Sequence, residues 1–136
     1  MKIIIDTNLL VACMFNKSSA SARIIRQAEE GAVDVMWHQK TRNEARFIVD
    51  QIQRAVPKVK IDLDKVFREQ NEVKDMPRIE DASEDPEDNK FLACAVAAGA
   101  DMIVSNDAHL RKLKKFQGIP IYTSRRALEI IKKEHA

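Results

Sequence analysis

Residues 2–5 read Lys-Ile-Ile-Ile and stop at Asp6. A run this short, β-branched and apolar at every position after its first, fits a strand covered on both faces. Such a strand needs helices on both sides of its sheet, and the rest of the chain supplies them. Ser19 to Glu30 reads as a helix stopped by Gly31, and Val33 to Trp37 as a second strand. Thr41 to Ala55 reads as a helix with Thr41 as N-cap and Glu44 closing a capping box. Its apolar stripe is Phe47, Ile48, Ile52 and Ala55, with Pro57 following. Asp62 to Lys74 reads as a third helix, and Asp75 to Pro86 as an acidic loop. Glu87 or Asp88 opens a helix that runs to Ala98 and closes at Gly99. Met102 to Ser105 is a strand, Ala108 to Lys115 a short basic helix and Ile119 to Tyr122 a last strand. Ser124 caps a final helix with Ala127, Leu128 and Ile131 as its stripe. About four strands alternating with helices predict a three-layer α/β/α sandwich around a mainly parallel sheet. Strand order is not legible from the sequence.

Composition narrows the field. A length of 136 residues with 45% hydrophobic residues fits one domain, taken here as residues 1–136. Only 3 glycines and 4 prolines argue against a turn-rich all-β fold. No apolar run approaches the length of a membrane span. The opening MKIII reaches Asp6 too soon for a signal-peptide core, so a cytoplasmic protein is expected, with Cys13 and Cys94 as buried free thiols. Charge is uneven: Glu72 to Asp88 carries eight acids against two bases, and His109 to Ala136 carries eight Lys/Arg against two acids. The basic end is compatible with a polyanionic partner or with solvated helix faces.

Four acids are not placed like surface decoration. Asp6 and Asp107 each follow an apolar strand, and ligand sites of open α/β sheets lie at the carboxyl ends of strands. Asp88 precedes Phe91, Leu92 and Ala95 at helical spacing, and Glu44 precedes Phe47, Ile48 and Ile52 in the same way. In βαβ crossovers helix starts and strand ends share one edge, so all four carboxylates should converge there. Converged like charges raise one another's pKa and destabilise the fold. A hard divalent cation resolves this, since Mg²⁺ and Mn²⁺ prefer oxygen ligands. Such an ion can activate water and neutralise a phosphodiester in transit. Each acid also has a plainer reading. Asp6 and Asp107 could be helix caps, Glu44 a capping-box member, and Asp88 a dipole residue in competition with Asp85 and Glu87.

The stretches IIIDTNLL, NEARFIV, DPEDNKFLACAVAAGADMIVSNDAHL and IPIYTSRRALEII together resemble the PIN-domain superfamily, most nearly its VapC-like toxins of prokaryotic toxin–antitoxin systems. The likeness spans nearly the whole chain, and only residues 56–79 carry no motif. It implies a Mg²⁺- or Mn²⁺-dependent endoribonuclease acting on single-stranded or looped RNA and leaving a 5′-phosphate and a 3′-hydroxyl. By position, the family's acidic residues match Asp6, Glu44, Asp88 and Asp107, which would be both catalytic and metal-ligating. Asn8 matches a polar residue that orients the first aspartate, and Ser105 a small hydroxyl residue near the last. Asn106 stands where relatives often have glycine. The resemblance also implies a homodimer restrained by a cognate antitoxin.

On this reading Arg111, Lys112, Lys114, Lys115, Arg125 and Arg126 are candidates to hold the RNA backbone. A non-catalytic binding module on the same fold is the first alternative. A phosphotransfer-type α/β domain is the second, but Asn8 stands where a dehalogenase-type phosphatase needs a second aspartate. His38, His109 and His135 lack metal-ligand spacing, although His109 lies close enough to Asp107 to touch a phosphate. Trp37 reads as a core residue, and no glycine loop is suited to cradling a nucleotide.

Overall fold

The computed structural model describes residues 1–80, 82–83 and 85–135. Asp81 and Glu84 of the expected acidic loop, and Ala136 of the basic end, lie outside the described residues. Lys2–Ile5 forms strand β1, followed by helix α1 (Thr7–Phe15) and helix α2 (Ala20–Glu29). Asp34–Val35 is β2, and Gln39–Ala55 is the long helix α3. A short helix α4 (Leu63–Val66) and a 3₁₀ turn (Glu69–Asn71) lead through an extended stretch to a second 3₁₀ turn (Pro86–Asp88). Helix α5 (Asn89–Ala98), β3 (Met102–Val104) and helix α6 (Ala108–Arg111) come next. β4 (Lys115–Phe116), β5 (Ile119–Tyr122) and α7 (Ser124–Glu134) complete the described chain.

Among the described residues the sheet has five strands in the order β2-β1-β3-β5-β4. All neighbours run parallel except β4, which pairs antiparallel with β5. From β1 the chain moves to β2 on one side and later to β3 on the other, so the order reverses between β1 and β3. Beyond the carboxyl ends of two such strands an open α/β sheet leaves a crevice.

Alternation along β1 shows why the sandwich has three layers. Ile3 and Ile5 join the core on one face with Leu9, Leu10, Ile24, Ile25 and Ile131. Ile4 joins the other face with Phe91, Leu92, Ile103, Leu110 and Ile121. A strand with both faces covered has no solvated side, which is the burial its unbroken isoleucine run requires. The expected α/β sandwich with a mainly parallel sheet is therefore the observed fold.

Local expectations fared unequally. α5 buries Phe91, Leu92 and Ala95 and ends at Gly99, whose φ of 62° is the left-handed conformation suited to glycine. α7 buries Ala127, Leu128 and Ile131. Its cap, however, is Thr123 rather than Ser124, which is the first helical residue. α3 starts earlier than expected. His38 is its N-cap, and Thr41, rather than capping, closes the box from the third helical position. Glu44 has no part in that box. The buried stripe of α3 is Thr41, Ala45 and Val49, while Phe47 is 62% exposed and Ala55 also faces solvent. Small residues occupy the buried face because α1 packs against it.

Of the helix expected over residues 62–74 only α4, capped by Asp62, is formed. Beyond α4 the backbone turns to serve Trp37. The Trp37 indole donates to the Arg68 carbonyl at 2.6 Å, and Trp37 backbone groups bond Asn71 and Val73. Those groups cannot also complete a helix. The basic helix expected to reach Lys115 stops at Arg111, and Lys115 instead opens the β4–β5 hairpin, which sequence periodicity misses. Positive φ at Gln117 and Gly118 makes the turn between the two strands, and Lys114, also at positive φ, stands just before β4.

Candidate functional site

Asp6 sits where β1 ends and α1 begins. Its backbone N–H donates to the Val104 carbonyl at 3.0 Å, fixing it beside the end of β3. The register pairs Ile5 with Val104, so the next residues, Asp6 and Ser105, are neighbours. Ser105 is fully buried, and its hydroxyl donates to Asp6 Oδ2 at 2.8 Å. The same Ser105 oxygen accepts from the Asp107 backbone N–H at 3.0 Å. One serine thus ties the first aspartate to the loop that carries the last. Asn8 contributes its backbone N–H to Asp6 Oδ1 at 3.2 Å, while the residue itself is exposed. Both aspartates also cap: Asp6 caps α1, and Asp107 accepts from the His109 N–H at 2.8 Å. Capping uses one oxygen and leaves lone pairs for another partner.

Asn106 has its own structural task. Its side chain accepts from the Ser124 N–H at 3.0 Å and exchanges hydrogen bonds with the Ser124 hydroxyl. This pins the loop between β3 and α6 to the start of α7.

Asp88 lies in the 3₁₀ turn before α5 and is 6% exposed. The Ser83 hydroxyl donates to its Oδ2 at 3.4 Å, and Ser83 N–H donates to the Asn89 side chain at 3.2 Å. Asp85 behaves as a turn residue, accepting from the Glu87 N–H. The choice of Asp88 over Asp85 as the buried acid follows from its place at the head of the Phe91–Leu92–Ala95 stripe.

Glu44 arrives from α3 with both oxygens engaged. Thr7 donates to Oε2 at 2.5 Å, and the Lys90 ammonium pairs with Oε1 at 2.8 Å. Lys90 also reaches Glu87 at 3.2 Å, and its side chain is only 14% exposed. Burial alone would depress its pKa, but the hydrogen bond and charge of Glu44, then those of Glu87, hold it above the ordinary value. Thr7, Ser83 and Lys90 were not singled out from the sequence. For Lys90 the available signal was its i,i+3 spacing from Glu87, and for Thr7 its adjacency to Asp6.

The electrostatics identify these groups as one cluster. Burial raises the Asp6 carboxyl above its usual range, and the charges of Asp107 and Glu44 add to this against the opposing Ser105 and Asn8 hydrogen bonds. Asp88 is pushed up to about 6 by burial and then by the charges of Asp107, Asp6 and Asp85. Buried acids raised by neighbouring negative charge are poised for a cation, which would stabilise their ionised forms. Among the described residues no three Asp, Glu, His or Cys side chains are already drawn into a closed ligand set. The donor set is nonetheless all oxygen, with Asp6 and Asp88 buried and Glu44 and Asp107 half-buried, and it fits a hard divalent ion in its chemistry.

Other candidates fall elsewhere. Arg111, Lys112, Lys114, Lys115, Arg125 and Arg126 are all exposed, and Arg126 pairs with Glu129. His38 caps α3, and Trp37 is buried edge-on to Phe67 at 6.2 Å between ring centres. Cys94 is buried, with its thiol pushed up to about 12 by burial, whereas Cys13 is only half-buried, not fully buried as expected. A groove bordered by Cys13, Met14, Arg46, Val49, Ile61 and Leu63 lies apart, and none of the four acids lines it. Among the described residues no helix is long and apolar enough to cross a membrane.

Comparison with known proteins gives one positive result. A family model described as a PIN domain matches residues 2–109, which takes in β1 through the start of α6 and all four acids. No curated protein and no solved structure matches this chain.

Proposed function

The chain belongs to the PIN-domain family, whose members are in general nucleases, and on that premise we propose that it is a Mg²⁺- or Mn²⁺-dependent endoribonuclease. The observation that carries this reading is that Asp6 and Asp88 are both buried acids raised by burial and by the charge of Asp107, with Asp6 also raising Asp88, at the carboxyl edge between β1 and β3. A nuclease needs negative oxygen donors that gain when a cation arrives, and these acids meet that need.

Asp6, Asp88 and Asp107 would hold the ion, with Glu44 at their margin. The bound ion supplies Lewis-acid neutralisation of the phosphodiester and an activated water. The chain's own residues do the rest. Ser105 fixes the Asp6 carboxylate and, through the Asp107 N–H, the loop beyond β3. Asn106 holds that loop against α7. Thr7 and Lys90 hold Glu44. The exposed bases of α6, β4 and α7 would grip the RNA backbone on either side of the scissile bond.

The finer reading rests on the likeness of the motifs to the VapC-like group. It has single-stranded or looped RNA as substrate, 5′-phosphate and 3′-hydroxyl products, and a cytoplasmic homodimer silenced by a cognate antitoxin. Incubation of a mixed single-stranded and structured RNA pool with Mn²⁺, Mg²⁺ or EDTA, beside Asp6→Asn, tests the activity. Cutting that requires metal and disappears in the variant is the expected result. Cutting that survives both EDTA and the substitution would sink the reading.

A further inference from the structure

Glu44 differs from the other three acids in its company. One of its oxygens is held by Thr7 from α1 and the other by the Lys90 ammonium from α5. Thr7 directly follows Asp6, and Lys90 lies two residues beyond Asp88. Glu44 therefore brackets the two segments that carry Asp6 and Asp88. Lys90 is itself tightly placed: its side chain is 14% exposed, it also meets Glu87, and its ammonium lies 5.4 Å from the centre of the Phe91 ring.

A divalent ion that took Glu44 as a ligand would either sit against the positive charge of this ammonium or displace it and leave it largely buried with less compensation. The ammonium is also a cation in its own right, set at the edge of an acid cluster. It neutralises one unit of the negative charge that would otherwise attract a second ion.

We propose that Lys90 and Glu44 form a resident ion pair that keeps Glu44 out of the metal's ligand set and limits the site to one divalent cation, held by Asp6, Asp88 and Asp107. Lys90 is then a positioning residue, and its charge does on the α5 side what a second ion would do. The inference rests on the metal-dependent reading above.

The test is direct Mn²⁺ binding to the purified full chain, by calorimetry and by electron paramagnetic resonance, with melting curves to verify folding. Wild type should bind one Mn²⁺ per chain, and Asp6→Asn should abolish binding. Lys90→Met keeps the aliphatic stem and frees the Glu44 carboxylate. It should therefore tighten Mn²⁺ binding by roughly tenfold or admit a second ion. Glu44→Gln should weaken Mn²⁺ binding far less than Asp6→Asn does, since a carboxylate paired with an ammonium is not a ligand, and the loss should come only from the Lys90 charge left uncompensated. The double variant should return to wild-type behaviour, and Lys90→Arg should not depart from it. Should Lys90→Met fail to fold, Lys90→Gln and Glu44→Gln still decide the matter. Loss of Mn²⁺ in Glu44→Gln comparable to that in Asp6→Asn, or weaker binding on removing the Lys90 charge, would overturn the ion-pair assignment alone. A folded wild type that binds no Mn²⁺ would overturn the metal reading and this inference with it.

Discussion

Ser105 donates its hydroxyl to Asp6 Oδ2 at 2.8 Å, joining residues 99 positions apart in the chain. The bond exists because β1 and β3 are parallel neighbours in a register that ends on Ile5 and Val104. It also works against burial, which pushes the Asp6 carboxyl up. Ser105→Ala should lower stability by about 1–2 kcal/mol at pH 8, where the ionised carboxylate most needs a donor. The deficit should shrink at lower pH, as the Asp6 carboxyl, raised above its usual range by burial, takes up a proton. Urea unfolding at pH 8 and at lower pH checks this, and an equal deficit at both would mean that the hydroxyl serves packing rather than charge.

Metal-free stability should fall as pH rises through 6. Asp88 titrates at about 6 in the fold against 3.8 ordinarily, so between these values the folded chain binds more protons than the unfolded chain. Unfolding then releases protons, and acidification favours the native state. In EDTA the urea midpoint should be higher at pH 5 than at pH 8. Asp88→Asn should flatten this slope and raise the midpoint at pH 8.

Cation binding should reverse that penalty. With Mn²⁺ at a hundredfold excess over Kd, linkage predicts about 2.7 kcal/mol of added stability. Asp6→Asn should remove the gain while leaving the metal-free protein at least as stable as wild type, because a buried, crowded charge is gone. Melting curves with and without Mn²⁺ read both effects. A variant that melts early in EDTA would argue that Asp6 is structural.

Asn106 links the Asp107 loop to the start of α7 through three hydrogen bonds with Ser124. Asn106→Ala should cost about 1 kcal/mol of stability. It should also weaken Mn²⁺ binding, since Asp107 would be less well held. A Mn²⁺ affinity unchanged in the face of that destabilisation would show that the loop keeps its shape without α7.

Neutralising Lys112 and Lys115 should weaken RNA binding and flatten its salt dependence. For a single strand the log–log slope should fall by about 0.7 for each phosphate these lysines neutralise. An unchanged slope would remove both from the RNA path.

Some of this was legible in the chain because the signal was local. The spacing of Phe91, Leu92 and Ala95 from Asp88 faithfully marked a buried helix head, since α5 has one strongly apolar face. α3 misled because Phe47 and Ala55 offered a second apolar face, and periodicity cannot choose between two. Packing against α1 chose the face bearing Ala45 and Val49. The capping box moved for a related reason: His38 and Thr41 satisfy it first, which leaves Glu44 to meet Thr7 and Lys90. Residues 62–74 looked helical in isolation, but the backbone groups of Trp37 drew part of that segment into an extended pairing.

The sequence by itself determined that both faces of β1 must be covered and that acids stand at strand ends and helix starts. Those properties depend on neighbours a few residues away, where side-chain period and backbone geometry act directly. Tertiary structure alone decided that β1 lies beside β3, that Ser105 serves Asp6, and that Lys90 claims Glu44. Such pairings join distant parts of the chain. They follow from the packing of whole elements, whose meeting no local pattern of residues encodes.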